Sequence, residues 1–154
     1  FVNTKALADE LARKLQELQH STAVLQGDLD QAERLAQLAR FRRHEALVLV
    51  ATDVASRGLD IPAVRTVLSY EVARDVETHT HRVGRTGRAG AKGSATTLVA
   101  RGDSRGLMLL VRCLRDAGAP VSAELSEALR TSVGAAGACA AGAGGEPASK
   151  KARR

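Results

Sequence analysis

The sequence predicts an α/β fold on a parallel sheet, and three observations carry this. Short apolar runs alternate with segments of helical periodicity, the signature of βαβ units with right-handed crossovers. The run from Ala46 to Ala51 is apolar at every position, as a central strand buried on both faces requires. Gly27, Gly58 with Pro62, and Gly118 with Pro120 punctuate these segments, where turns need them.

Taken in order, Leu7, Leu11, Leu15 and Leu18 recur at helical spacing among charged and amide residues, an amphipathic helix. Thr22 to Leu25 is a short buried strand, broken by Gly27-Asp28. Gln31 to Phe41 is helical, with Ala32, Leu35, Leu38 and Phe41 on or near one side. The central strand follows, then a loop punctuated by Gly58 and Pro62. Thr66 to Tyr70 is a strand, Glu77 to Arg85 a short helix, 89–93 a turn and Ala95 to Val99 a last strand. Asp103-Ser104 caps a helix carrying Leu107, Leu110, Val111 and Leu114, ended by Gly118 and Pro120. Ser122 opens a final short helix through Leu125 and Leu129. Residues 1–133 form the expected domain. From Gly134 the composition turns to Ala and Gly and ends Lys150-Lys151-Ala152-Arg153-Arg154. Residues 134–154 are expected to be disordered, having too little apolar surface to bury.

Composition narrows the function. Hydrophobic residues make up 44% of the chain, enough for a core, but aromatics only 2%. That argues against modules that grip nucleic acid by stacking bases on aromatic platforms. The formal net charge of +6 favours polyanionic partners, although a basic surface also serves solubility. Cys113 and Cys139 lie far apart without a CxxC pair, so no zinc site or disulfide framework follows. No stretch spans a bilayer and no secretory signal opens the chain. The start at Phe1-Val2-Asn3 reads like the middle of a strand, the expectation for a chain cut from something longer.

Chemistry concentrates in two segments. His81-Arg82-Val83-Gly84-Arg85-Thr86-Gly87-Arg88-Ala89-Gly90 repeats arginine every third residue between glycines. Guanidinium groups match phosphate oxygens, and glycines let a backbone approach a ligand closely. An arginine aimed at a transferring phosphoryl group is worth about 10³–10⁵ in rate. Such a stretch can also be a basic RNA-binding loop, but this length and order favour the phosphoryl reading. The second segment, Val50 to Asp60, follows the most apolar strand directly. Thr52 can donate to a phosphate, Gly58 permits close approach, and Asp60 can accept from a ribose hydroxyl. A capped strand-to-helix turn held by Asp53 and Arg57 explains the segment equally well.

Together these segments resemble motifs V and VI of the DEAD-box RNA helicases. Phe1-Val2-Asn3-Thr4-Lys5 resembles motif IV, Gln26-Gly27-Asp28 motif IVa, and Gln31-Ala32-Glu33-Arg34 the QxxR motif. The resemblance runs from about Phe1 to Val99. It implies a RecA-like lobe, the second of two, with a parallel sheet flanked by helices. By that resemblance Arg85 and Arg88 are arginine fingers toward ATP held by an N-terminal lobe. His81 couples ATP to RNA, and Asp60 and Gly58 lie at the nucleotide. Thr4, Gly27, Thr52 and Gly58 hold RNA phosphates, with Asp28, Arg34 and Asp53 nearby, and Arg57 links motifs V and VI. Phosphate contacts of this kind do not read sequence.

The implied reaction is ATP-driven separation of RNA strands. The ligands of the ATP-bound Mg²⁺ belong to the other lobe, so this chain has no metal site of its own. No GxxxxGK[ST] occurs in it, and alone it is expected not to hydrolyse ATP. Tyr70-Glu71-Val72-Ala73-Arg74-Asp75 replaces the family's Tyr-Asp-x-Pro, and Glu77-Thr78-His79-Thr80 its Tyr-containing lead-in. Both resemble the subgroup linked to the spliceosomal branch-site complex, which implies spliceosomal partners and a nuclear location. His79 is expected to be a local hydrogen-bonding residue rather than a catalytic base. Two other functions remain open: a non-enzymatic RNA-binding scaffold and a DNA-directed helicase.

Overall fold

The computed structural model describes residues 1–56, 61, 64–88 and 90–140. The chain divides into two compact units, Phe1–Ala100 and Arg101–Arg154, where the sequence suggested one domain through residue 133.

The first unit runs α1 (Lys5–Glu17), β1 (Thr22–Leu25), α2 (Gln31–Arg42), β2 (Val48–Ala51), α3 (Asp53–Ser56), β3 (Thr66–Ser69), α4 (Val76–Val83) and β4 (Ser94–Thr97). β1 and β2 pair in parallel from Thr22↔Val48 to Leu25↔Ala51. β3 and β4 pair in parallel from Thr66↔Ser94 to Ser69↔Thr97. Phe1 and Val2 join the two pairs. The Val2 amide donates to the Ala51 carbonyl at 3.1 Å, and Val2 bridges Thr52 in parallel. On the other side the Phe1 nitrogen donates to the Leu68 carbonyl at 2.6 Å, and the Tyr70 amide to the Phe1 carbonyl at 2.9 Å. The hydrogen-bonded order is therefore β1, β2, Phe1–Val2, β3, β4, all parallel.

The strands form where β-branched and aliphatic residues run together, and alternate side chains take opposite faces. Val48 and Val50 pack with Val2, Val24, Ala8, Ala12, Leu7, Leu11 and Leu15 under α1. Leu49 and Ala51 pack with Leu25, Leu38, Ile61 and Phe1 on the α2 side. So β2 is covered on both faces, as its apolar run predicts. Burying one such aliphatic side chain contributes about 1.5–3 kcal/mol.

Helix ends follow capping chemistry. Thr4 caps α1 by accepting from the Leu7 amide, and Asp75 caps α4 by accepting from the Thr78 amide at 2.7 Å. Asp30 and Glu33 form a reciprocal capping box on α2.

Three expectations need correcting. Leu18 is the C-cap of α1 and is exposed. On α2 only Leu38 is buried, while Leu35 faces outward, because the helix rests on β1 by a narrower stripe than its apolar content suggests. Leu47 precedes β2 and is 71% exposed, since the strand begins only at Val48.

The second unit comprises α5 (Ser104–Asp116) and α6 (Ala123–Ala140), packed together. Asp103 caps α5 by accepting from the Gly106 amide at 2.8 Å, and Ser122 accepts from Leu125 at the start of α6. α6 continues to Ala140, past Gly134 where the disordered tail was expected to begin. Alanine's high helix propensity offsets the intervening glycines there. Residues 141–154, with the basic end, lie outside the described residues. Among the described residues no helix is long and apolar enough to cross a membrane.

Candidate functional site

Because the sheet is parallel, the exits of its strands share one edge, where such sheets place their ligands. Leu25 leads into Gln26-Gly27-Asp28, Val2 into Asn3-Thr4, Ala51 into Thr52-Asp53, and Ser69 into Tyr70-Glu71.

One buried cation ties three of these exits together. Arg82, on α4, is 1% exposed. Its Nε and Nη2 donate to the two carboxylate oxygens of Asp53, each at 2.7 Å. Nη1 donates to the Glu71 carbonyl and Nη2 also to Asn3 Oδ1, both at 2.7 Å. The guanidinium carbon lies 5.5 Å from the Phe1 ring centroid. A planar fork with five donors suits this task, and lysine could not span the same acceptors.

Asn3 is held just as fully. Its amide donates to Glu71 Oε2 at 2.6 Å and its Nδ2 to the Val72 carbonyl at 3.0 Å. Its carbonyl accepts from Arg74 Nη2 at 3.2 Å.

α4 ends at Gly84, where a β-carbon would meet the Thr80 carbonyl at 3.1 Å. The arginine loop then turns through Gly87, whose φ is +66°, a conformation that favours glycine. The Arg85 carbonyl accepts from the Val64 amide at 2.9 Å, and the Thr86 hydroxyl lies 2.6 Å from the Val64 carbonyl. Arg85 is partly buried, and among the described residues its guanidinium makes no ion pair or hydrogen bond. Arg88 is exposed and donates through Nε to the Gly84 carbonyl, leaving its terminal nitrogens outward.

The structure distributes the other expected residues unevenly. The Thr4 hydroxyl serves as the α1 cap, 3.3 Å from the Leu7 amide. Gly27 is exposed, and its carbonyl accepts from Arg34 Nη2 at 3.1 Å. Asp28 pairs with Lys5 at 2.8 Å, joining the loops of Thr4 and Gly27. Arg34 Nε is buried without a partner. Thr52 is only 6% exposed, and its amide donates to the Leu25 carbonyl at 3.0 Å. His81 is exposed on the last turn of α4. Arg57, Gly58 and Asp60 lie outside the described residues.

The expectation for His79 needs correcting, because its Nδ1 is buried without a hydrogen-bond partner. Burial, and then the Arg82 charge, hold its pKa below the usual imidazole value.

Arg82 is the residue the sequence did not single out. Helical spacing carried a signal: Thr78 and Arg82 stand four apart and both are buried, so the inner face of α4 includes the arginine.

A parallel sheet between helices, with strand exits tied to the arginine-bearing segment on one edge, is the architecture of a RecA-like lobe. The helicase conserved C-terminal domain profile matches residues 1–90. ATP-dependent RNA helicase DDX42 of Homo sapiens is 54% identical over 125 residues, 81% of this chain and 13% of the relative. The yeast DEAD-box splicing factor Prp28 has a TM-score of 0.74 and 31% identity, over 84% of this chain and 30% of that one. Dbp5 of S. cerevisiae, bound to RNA and ADP BeF3, has a TM-score of 0.64 and 36% identity, over 75% of this chain and 30% of that one. The chain belongs to the family of helicase conserved C-terminal domains, in its DEAD-box branch. It spans about 13% of the length of the first curated relatives it matches.

Proposed function

We propose that this chain is the C-terminal lobe of an ATP-dependent RNA helicase, completing from one side an ATP site whose phosphate-binding loop lies on an N-terminal lobe. Arg85 and Arg88 act as arginine fingers on the γ-phosphate, and His81 couples the nucleotide to RNA. Asp60 and Gly58 lie at the nucleotide. The strand exits around Thr4, Gly27 and Thr52, with Asp28, Arg34 and Asp53, hold the RNA backbone.

The observation that carries this reading is the division among the three arginines. Arg82 is spent inside the lobe, whereas Arg85 makes no ion pair among the described residues and Arg88 only a backbone contact. A partly buried, uncompensated guanidinium is costly and is accounted for if a phosphate arrives beside it. The RNA and ADP BeF3 bound to Dbp5 support the same ligands here.

ATP arrives with Mg²⁺, which offsets phosphate charge. Among the described residues no group of three or more His, Cys, Asp or Glu could hold a metal. We assign its ligands to the other lobe. The likeness to DDX42 and to a splicing factor, with the Tyr70–Asp75 stretch, supports a nuclear protein with spliceosomal partners.

The test is RNA-stimulated ATP turnover by the two-lobed protein. Arg85→Ala and Arg88→Ala should each lower it by about 10³-fold or more while leaving most RNA binding. Normal turnover in both would refute the finger assignment. The 154-residue chain alone should show no RNA-stimulated turnover.

A further inference from the structure

We infer that Asn3 and Arg82 form a clamp that couples the RNA-holding strand exits to the finger-bearing helix, making both positioning residues for the reaction. The inference rests on the reading above.

Every polar group of Asn3 is engaged by the segment that runs from β3 into α4. Its amide meets the Glu71 carboxylate, its carbonyl Arg74, its Nδ2 the Val72 carbonyl and its Oδ1 Arg82. Arg82 in turn grips Asp53, next to Thr52. The partners are 79 and 29 residues from Arg82 in sequence, so none of this is local turn chemistry.

The clamp's position gives it a task. Asn3 immediately precedes Thr4, Asp53 immediately follows Thr52, and Arg82 stands between His81 and Arg85. A displacement of either RNA-facing exit therefore acts directly on α4, one turn before the fingers. The Arg82 contacts are charge-assisted and part-buried around a guanidinium that is 1% exposed, where such bonds are stiff and are lost together, while the Arg74 contact lies at the exposed rim. Glu71 and Arg74 belong to the stretch in which this chain departs from the family's Tyr-Asp-x-Pro. They hold Asn3 through their side chains.

The reading above gives neither Asn3 nor Arg82 a contact with ATP or RNA. Loosening it should therefore separate kcat from KM, because a small misplacement remote from the chemistry costs on the order of 10²-fold in rate.

The experiment measures ATP turnover by the two-lobed protein across RNA and ATP concentrations, with melting curves to establish folding. Asn3→Ala is expected to lower the RNA-saturated kcat by about 10- to 100-fold with KM for ATP nearly unchanged. Asn3→Asp is the same size and keeps an acceptor toward Arg82 but loses the donor to the Val72 carbonyl, so it is expected to recover only part of that loss. Should Asn3→Ala not fold, Asn3→Asp is compared with Arg74→Ala, which frees only the Asn3 carbonyl. Each should then show a smaller fall of the same kind, in kcat alone. Arg85→Ala is measured alongside. If Arg85→Ala loses turnover while the folded Asn3 variants keep full RNA stimulation, the clamp is overturned and the fingers stand. If Arg85→Ala turns over normally, the finger reading falls, and the clamp's proposed task with it.

Discussion

A β-carbon on Gly93 would stand 1.9 Å from the Thr86 hydroxyl oxygen and 2.6 Å from the Gly87 nitrogen. The glycine after the arginine loop is thus the surface on which that loop rests. Thr86 cannot retreat freely, because its hydroxyl lies 2.6 Å and 3.0 Å from the carbonyls of Val64 and Arg65.

Gly93→Ala should therefore push the loop outward, carrying Arg85 and Arg88 with it. Overpacking of this kind costs about 1–3 kcal/mol. The expected outcome is a lower melting temperature and a fall in ATP turnover larger than the stability loss explains. A variant with wild-type melting and turnover would show that the loop does not rest on Gly93.

Gly27 gives the opposite expectation. A β-carbon there meets nothing within 4 Å, so the fold itself makes no demand for glycine. Gly27→Ala should leave stability within about 0.5 kcal/mol. If a phosphate approaches this backbone, the added methyl should weaken single-stranded RNA binding by several-fold in a fluorescence titration. Equal binding by the two proteins would remove Gly27 from the RNA surface.

These two glycines also show what the sequence could and could not convey. Gly27 stands in a motif-like segment and Gly93 in a plain turn, yet packing requires glycine at the second and makes no such demand at the first. That difference depends on atoms distant in the chain. β1 and β2 were legible because their apolar runs are continuous, and α5 because Asp103-Ser104 announces it. The Leu35 side of α2 was not, since apolar spacing says which residues share a face but not how wide a stripe the sheet will cover. In the same way the repeating arginines suggested phosphate chemistry but not that Arg82 turns inward while Arg88 stays exposed. Only the pairing of Phe1–Val2 between β2 and β3 brings Asn3 and Asp53 to Arg82. The α6 extension through Ala140 was missed because composition weighed Ala and Gly together, although they differ by about 1 kcal/mol per residue in a helix.

His79 supplies a pH dependence. Its folded pKa lies below the ordinary value of 6.5, through burial first and the Arg82 charge second. In the unfolded chain the imidazole therefore takes up a proton at a higher pH than in the folded one. The stabilising difference is fully present above pH 6.5 and is lost as pH falls through the lower folded value. Melting temperatures measured from pH 7.5 down to about 5 should fall more steeply for the wild type than for His79→Gln. Parallel curves would mean that the Nδ1 environment does not perturb the ring.

Two ion pairs of nearly equal length should differ widely in worth. Arg82–Asp53 spans 2.7 Å with side chains 1% and 19% exposed, and Lys5–Asp28 spans 2.8 Å with side chains 60% and 62% exposed. Removing one partner of a buried pair leaves an uncompensated charge, at a cost of about 3–5 kcal/mol. Exposed pairs contribute about 0–1 kcal/mol, because water screens them and two long side chains lose freedom. Urea unfolding of Asp53→Ala should accordingly show a large loss, and Lys5→Ala a loss near the error of the measurement. Added salt should erase what little Lys5→Ala costs, since only exposed charges are strongly screened, and should leave the Asp53→Ala deficit nearly intact. If the two variants lose similar stability, the seal around Arg82 is not as dry as its 1% exposure implies. A clamp open to water could not hold α4 against the strand exits stiffly enough to place Arg85 and Arg88 as proposed.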